Sequence, residues 1–231
     1  METYPEKKAR LKIALDKMHA EIIAAGGTII NLPKGYLSHS SITMRGKGEI
    51  TESYRKQYYG EGSFFSTPPM EFGNKVTDAM EHGEEWVEFI PHLPIFEREL
   101  FVNVRGVPVL MYIDTSNENN RFCEQKTTKT RWTEAKIAKH EQLDLYSLGL
   151  QLADGFVEDE CSLVWVEAIA PIVTRGMGLK KFTTVDDYTL SGNFEETPRT
   201  ITQEMRDAMA DKVLRVAREI EEDLAAVGHL Y

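Results

Sequence analysis

Residues 95–128 read IFERELFVNVRGVPVLMYIDTSNENNRFCEQKTT, and the architecture of the chain turns on this stretch. Residues 95–104 and 107–113 are rich in β-branched and aromatic side chains, and Arg105-Gly106 between them has the length and the glycine of a tight hairpin. A polar turn, Ser116-Asn117-Glu118-Asn119-Asn120, leads into a third strand over residues 121–128. Three strands in meander are expected. Downstream, residues 131–153 return to the helical period, with Ile137, Leu145, Leu148 and Leu152 as core candidates, and residues 162–170 form another run of strand formers that would join the meander. Residues 171–199 are the least regular, with only 182–185 suggesting a strand. Residues 202–226 make a long amphipathic helix through Met205, Met209, Leu214, Val216, Ile220 and Leu224, with Thr200 and Gln203 offering a capping box.

Upstream, residues 5–25 place Leu11, Leu15, Met18 and Ile22 at helical spacing, and Gly26-Gly27 marks the end. A short apolar run over 28–32 and a Pro33-Lys34-Gly35 turn precede Ser38-His39-Ser40-Ser41, whose hydroxyls suit a helix cap. Residues 53–59 also read as helical. After Pro68-Pro69, residues 70–88 carry Phe72, Val76, Met80 and Trp86 on one stripe. The whole describes an α/β (α+β) domain with a central mixed β-sheet flanked by helices. Helices occupy about 1–90, a core about 91–170, and a C-terminal extension with its helix about 171–231.

Composition narrows the function classes. With 231 residues, 42% hydrophobic and 28% charged, the chain is neither a disordered tail nor a fibre. No apolar run approaches the roughly 20 residues that cross a bilayer, and the charged opening is unlike a signal peptide, so a soluble, cytoplasmic protein without a membrane partner is expected. Cys123 and Cys161 are too few for a disulfide scaffold or a four-thiolate cluster, and both read as core thiols. A net charge of −10 argues against loose coating of polyanions, although carboxylates that hold a metal add to that count without opposing an anionic ligand.

The chemistry-bearing residues cluster around the quoted stretch. Asp114 ends one strand and Glu124 lies within the next, so a hairpin can set the two carboxylates side by side as oxygen ligands for a hard cation such as Mg²⁺, with Mn²⁺ able to substitute. Strand alternation puts Glu124 and Lys126 on one face and Gln125 on the other. The lysine then stands beside the metal, where it can orient water or offset charge on a phosphate. The plain alternative for these three residues is a solvated face with a cross-strand ion pair. Gln142 and Tyr146, four apart on the following helix, can both bond a phosphate oxygen or steady the lysine.

In this order, Asp, Glu-x-Lys and Gln-x-x-x-Tyr, the residues resemble the PD-(D/E)XK nuclease superfamily, in particular its RecB-like branch and related phage exonucleases. The resemblance covers roughly residues 36–170. Upstream, Leu37-Ser38-His39-Ser40-Ser41, residues 54–60, residues 67–72 and Gly73-Asn74-Lys75-Val76 look like the opening helices of that group. It implies a restriction-endonuclease-like core, with Asp114 and Glu124 as metal ligands, the backbone carbonyl of Gln125 as a third, Lys126 as the motif lysine, and Gln142 and Tyr146 as the helix motif. Glu81 would be the additional upstream acid. The histidine common four residues after the upstream glycine is replaced by Thr77, and the glycine common three residues before the first ligand by Met111, so acidic residues alone would suffice, as in phage exonucleases of the lambda type. The resemblance further implies a Mg²⁺-dependent deoxyribonuclease, an exonuclease of phage or prophage recombination type leaving 5′-phosphates. Its location would then be a bacterial host cytoplasm. Its partners would be linear duplex DNA and a single-strand annealing protein, and an oligomer is compatible with related folds.

A DNA-binding strip is expected between residues 121 and 139, where Arg121, Lys126, Lys129, Arg131, Lys136 and Lys139 face only Glu124 and Glu134. Trp132 within it could stack on a base or serve as a core anchor. Arg45, Lys47, Arg55 and Lys56 form a weaker basic zone. His39, His92, His140 and His229 show no zinc-like spacing, and His140 reads as a surface residue. Two other readings stand beside the nuclease: a catalytically inactive nuclease-fold module for DNA binding or assembly, and a carboxylate-metal phosphohydrolase of small nucleotides.

Overall fold

The computed structural model describes residues 3–45, 66–170 and 184–227. Five strands form one mixed sheet in the order β1-β2-β3-β4-β5: β1 (Ile95–Val104), β2 (Val107–Ser116), β3 (Phe122–Thr128), β4 (Glu160–Ile169) and β5 (Thr189–Thr200). All neighbours are antiparallel except β3 and β4, which run parallel. The expected central mixed sheet flanked by helices is therefore present. Arg105 and Gly106 both take positive φ, 52° and 91°, as a two-residue hairpin turn requires, and the Asn103 side chain accepts from the Gly106 N–H at 2.7 Å.

Helices cover both faces. Helix α1 spans Tyr4–Ala24, α2 His39–Arg45, α3 Pro68–Glu81, α4 Glu134–Ile137, α5 Glu141–Asp154 and α6 Gln203–Val227. Leu143, Leu145 and Leu148 of α5 and Val213, Val216 and Ile220 of α6 share one core with Val109, Met111, Ile113 and Phe122 of the sheet. On the other face, Phe72, Val76, Ala79 and Met80 of α3 pack on Cys123, Val164, Val166 and Ala168. β4 is buried along most of its length on both faces, which explains its unbroken apolar run.

Five local expectations change. Helix α3 stops at Glu81: Gly83 turns left-handed at φ 67°, the N–H groups of Gly83 and Glu84 bond the carbonyls of Met80 and Ala79, and Trp86 falls in a separate short 3-10 turn, 39% exposed. The helix expected over 131–153 is two pieces broken at Ala138–His140, and Leu152 near its end is 46% exposed. The cap of α6 is Thr202, whose hydroxyl accepts from the Met205 N–H at 3.4 Å, because Thr200 is still paired with Glu160 in the sheet. All of β5 but Thr200 comes from the irregular stretch. It is an edge strand, largely exposed, with Gly192 and Pro198, so it lacks the apolar alternation by which strands are recognised. Val185, at the end of the strand expected over 182–185, instead opens a 3-10 turn, Val185–Asp187. The helix expected over 53–59, and residues 182 and 183, lie outside the described residues.

The feature that positions the site is a fork. β2 and β3 pair only through Thr115 with Cys123 and Ser116 with Phe122, and then separate. Farther down β2, the edge that β3 has left is taken by Leu37, whose N–H bonds the Pro108 carbonyl and whose carbonyl accepts from Leu110, each at 2.9 Å. This bridge delivers Ser38 and the start of α2 to the fork. Ser38 caps α2 by accepting from the Ser41 N–H at 3.4 Å.

Candidate active site at the β2–β3 fork

Asp114 stands where the ladder ends, and its Oδ2 accepts the Gln125 N–H at 2.7 Å in place of a β2 carbonyl. A strand residue sends its N–H and C=O to the same edge, so the Gln125 carbonyl turns toward the fork as well. Glu124 is 1% exposed. Its Oε1 accepts from the Lys126 ammonium, while its Oε2 is buried without a hydrogen-bond partner. Lys126 also donates to Gln142 Oε1 at 3.1 Å, and Gln142 Nε2 donates to the Tyr146 hydroxyl at 2.7 Å. Residues separated in sequence thus form one chain of contacts: Asp114, the β3 backbone, Glu124, Lys126, Gln142, Tyr146. The i, i+4 spacing on α5 gives the last link.

Electrostatics mark this as a place short of a cation. Burial, and then the neighbouring Asp114 charge, push the Glu124 carboxyl up to about 8 against the pull of Lys126. Asp114 is also raised, by burial, with the Gln125 N–H and Lys126 opposing. Two carboxyls sharing one dry fork cannot both ionise cheaply unless positive charge is added. Tyr146 is held well above its ordinary value by burial and by both carboxylates.

Two histidines unremarked by spacing border the site. His39 at the start of α2 and His140 just before α5 meet edge to face at 6.1 Å. Burial, and then the Lys126 charge, hold them down to about 4 and about 3. His140 is half-buried against Trp132, ring centroids 4.8 Å apart, so its surface reading is corrected. The signal available was position: each lies inside a motif already singled out, between Ser38 and Ser40 and two residues before Gln142.

Other expectations fare differently. Glu81 is exposed on α3, which covers the Cys123 face of β3, whereas Glu124 projects from the opposite face; the structure does not bring it to the pair. Among the described residues no three His, Cys, Asp or Glu side chains gather as a metal site. Thr77 bonds its own helix, donating to the Gly73 carbonyl at 3.3 Å. The basic strip is partly neutralised by strand ends and by the strand the sequence did not reveal. Arg121 pairs with Glu160 at 3.0 Å and Glu196 at 3.8 Å, and Arg131 bonds Glu195 at 2.5 Å. Lys136 lies 3.6 Å over the Trp132 ring, which also meets the His140 ring. Lys129 and Lys139 are exposed. Arg45 is tied to Asp223 at 2.9 Å, while Lys47, Arg55 and Lys56 lie outside the described residues. Cys123 and Cys161 are buried free thiols, and Cys123 faces away from Glu124 toward Ser162, 2.9 Å from its hydroxyl.

The sequence matches no family model and no curated protein. Among solved structures, the chain is similar to a phage-related exonuclease from Haemophilus somnus, at 14% identity over 87% of this chain and 92% of that one, with a TM-score of 0.49. It is also similar to a protein provisionally described as an exonuclease from Eubacterium rectale, at 10% identity over 80% and 82% of the two chains, TM-score 0.47. Likeness at this level leaves function to be read from the residues themselves. No helix among the described residues is long and apolar enough to cross a membrane.

Proposed function

We propose that the chain is a metal-dependent deoxyribonuclease of the PD-(D/E)XK type, an exonuclease acting on linear duplex DNA and leaving 5′-phosphates. The observation that carries this reading is the Asp114–Glu124 pair at the fork, Glu124 buried and Asp114 half-buried, with Lys126 in contact. The donors fit Mg²⁺: they are hard oxygens, one Glu124 oxygen has no partner, the Gln125 carbonyl faces the same gap, and Mg²⁺ takes few carboxylates and keeps waters. Bound there, such an ion would activate water and neutralise charge on the phosphate. Lys126, anchored by Glu124 and Gln142, has one N–H left to offer a phosphate oxygen or the attacking water. Gln142 and Tyr146 hold that amine in place, and the dry wall around Tyr146 strengthens each interaction. Exposed Lys129 and Lys139, with Lys136, hold the strand by its phosphates without reading sequence. A single-strand annealing protein as partner belongs to the same proposal.

Purified protein with Mg²⁺ and linear duplex DNA is expected to release nucleotides, and Lys126→Ala to lower the rate by at least about a hundredfold. A Lys126→Ala protein as active as wild type refutes the assignment. A second reading, a nuclease-fold module without catalysis, is favoured by the neutralised Arg121 and Arg131 and by Thr77 turned onto its own helix. Calorimetric titration separates the two: Mn²⁺ uptake that disappears in Asp114→Ala supports the enzyme, and no uptake supports the module.

A further inference from the structure

The helix that carries Gln142 is gripped from behind by a residue of β5. Arg199 stands opposite Cys161 in the sheet, and its side chain is only 8% exposed. One guanidinium nitrogen donates to the His140 carbonyl at 2.8 Å and the other to Asp144 Oδ1 at 2.6 Å. Residues 140 and 144 are one turn apart and bracket Gln142, which projects from the opposite flank toward Lys126. From α6, Lys212 grips both Glu141 oxygens at 2.5 Å. A planar fork that takes a carbonyl and a carboxylate together fixes both the rotation and the translation of the first turn of α5. Burying this ion pair contributes little net stability, because desolvation offsets the attraction, so orientation is what the arrangement supplies.

We propose that Arg199 is a positioning residue for the reaction, acting through Gln142 on Lys126; this rests on the nuclease reading above. Arg199→Lys keeps the positive charge for Asp144 but cannot span both acceptors. It is expected to lower kcat by roughly 10- to 100-fold with little change in KM, the order that a misplaced catalytic contact costs. In a Gln142→Ala background the same replacement is expected to cost nothing more, since the contact it positions is gone. Asp144→Asn, which loosens the clamp while leaving Arg199 in place, should show the same dependence on Gln142. The side-chain amide signal of Gln142 in ¹⁵N NMR, identified by its loss in Gln142→Ala, reads the geometry directly and is expected to shift toward that of a solvated glutamine in Arg199→Lys. Equal rate losses in the two backgrounds, or an unmoved amide signal, overturn the proposal. If wild type cleaves no DNA, the nuclease reading fails by itself and the amide signal still decides whether Arg199 sets Gln142.

Discussion

Glu124 is the residue at which burial, like charge and an ion-pair partner oppose one another most sharply. In the folded chain its carboxyl keeps its proton up to about pH 8, against 4.5 as its ordinary value. Its contribution to stability is therefore complete below about pH 4.5 and is lost as pH rises through about 8. Glu124→Gln carries no such loss and still offers Lys126 an acceptor. Without metal, its unfolding temperature should exceed that of wild type by several degrees at pH 8, at about 2–4 °C per kcal/mol, and the two should converge near pH 4.5. Added Mg²⁺ should raise the wild-type value at pH 8 and leave the variant unmoved. Equal melting curves for the two proteins at pH 8 would contradict this account of the site. Gly149 supplies a separate test, since a Cβ there would meet Met111 Cε at 2.6 Å and Leu100 Cδ1 at 3.3 Å. Gly149→Ala is expected to cost about 1–3 kcal/mol in chemical denaturation, with wild-type metal uptake.

At the scale of elements, the strand that sequence patterning did not disclose has the largest effect on how the candidate site is read. β5 sets Glu195 and Glu196 against Arg131 and Arg121, so the local excess of positive charge along residues 121–139 is smaller in space than along the chain. The pairs are solvent-exposed and weak, and phosphates can compete for the arginines. Glu195→Gln with Glu196→Gln is thus expected to tighten DNA binding several-fold and to steepen its salt dependence, as measured by fluorescence anisotropy. Unchanged affinity would show that Arg121 and Arg131 do not meet DNA. The same elements explain what could be read in advance. Asp114, Glu124, Lys126, Gln142 and Tyr146 were legible because two short-range rules, strand alternation and the helical turn, determine which faces they share. Glu81 was misplaced because which sheet face a helix covers depends on packing far along the chain. Arg199 went unnoticed because an arginine in a Gly- and Pro-containing edge strand carries no periodic signal.

For the molecule as a whole, α6 belongs to the core and β5 completes the sheet. β5 pairs along β4, and Val213, Val216, Ala217 and Ile220 of α6 are buried with the strands. A chain ending at residue 170 is expected to lack a cooperative unfolding transition by circular dichroism; a sharp transition would mean that α6 is dispensable. The bridge from Leu37 to Val109 reaches equally far in the other direction. Because the fork is closed by position 37 and its helix steadied from position 199, the acidic pair gains its surroundings only when segments far from it in sequence on both sides have packed. On the nuclease reading proposed above, a chain not yet folded through residue 199 would carry the acidic motif without the contacts that orient Lys126, so cleavage would await those long-range contacts.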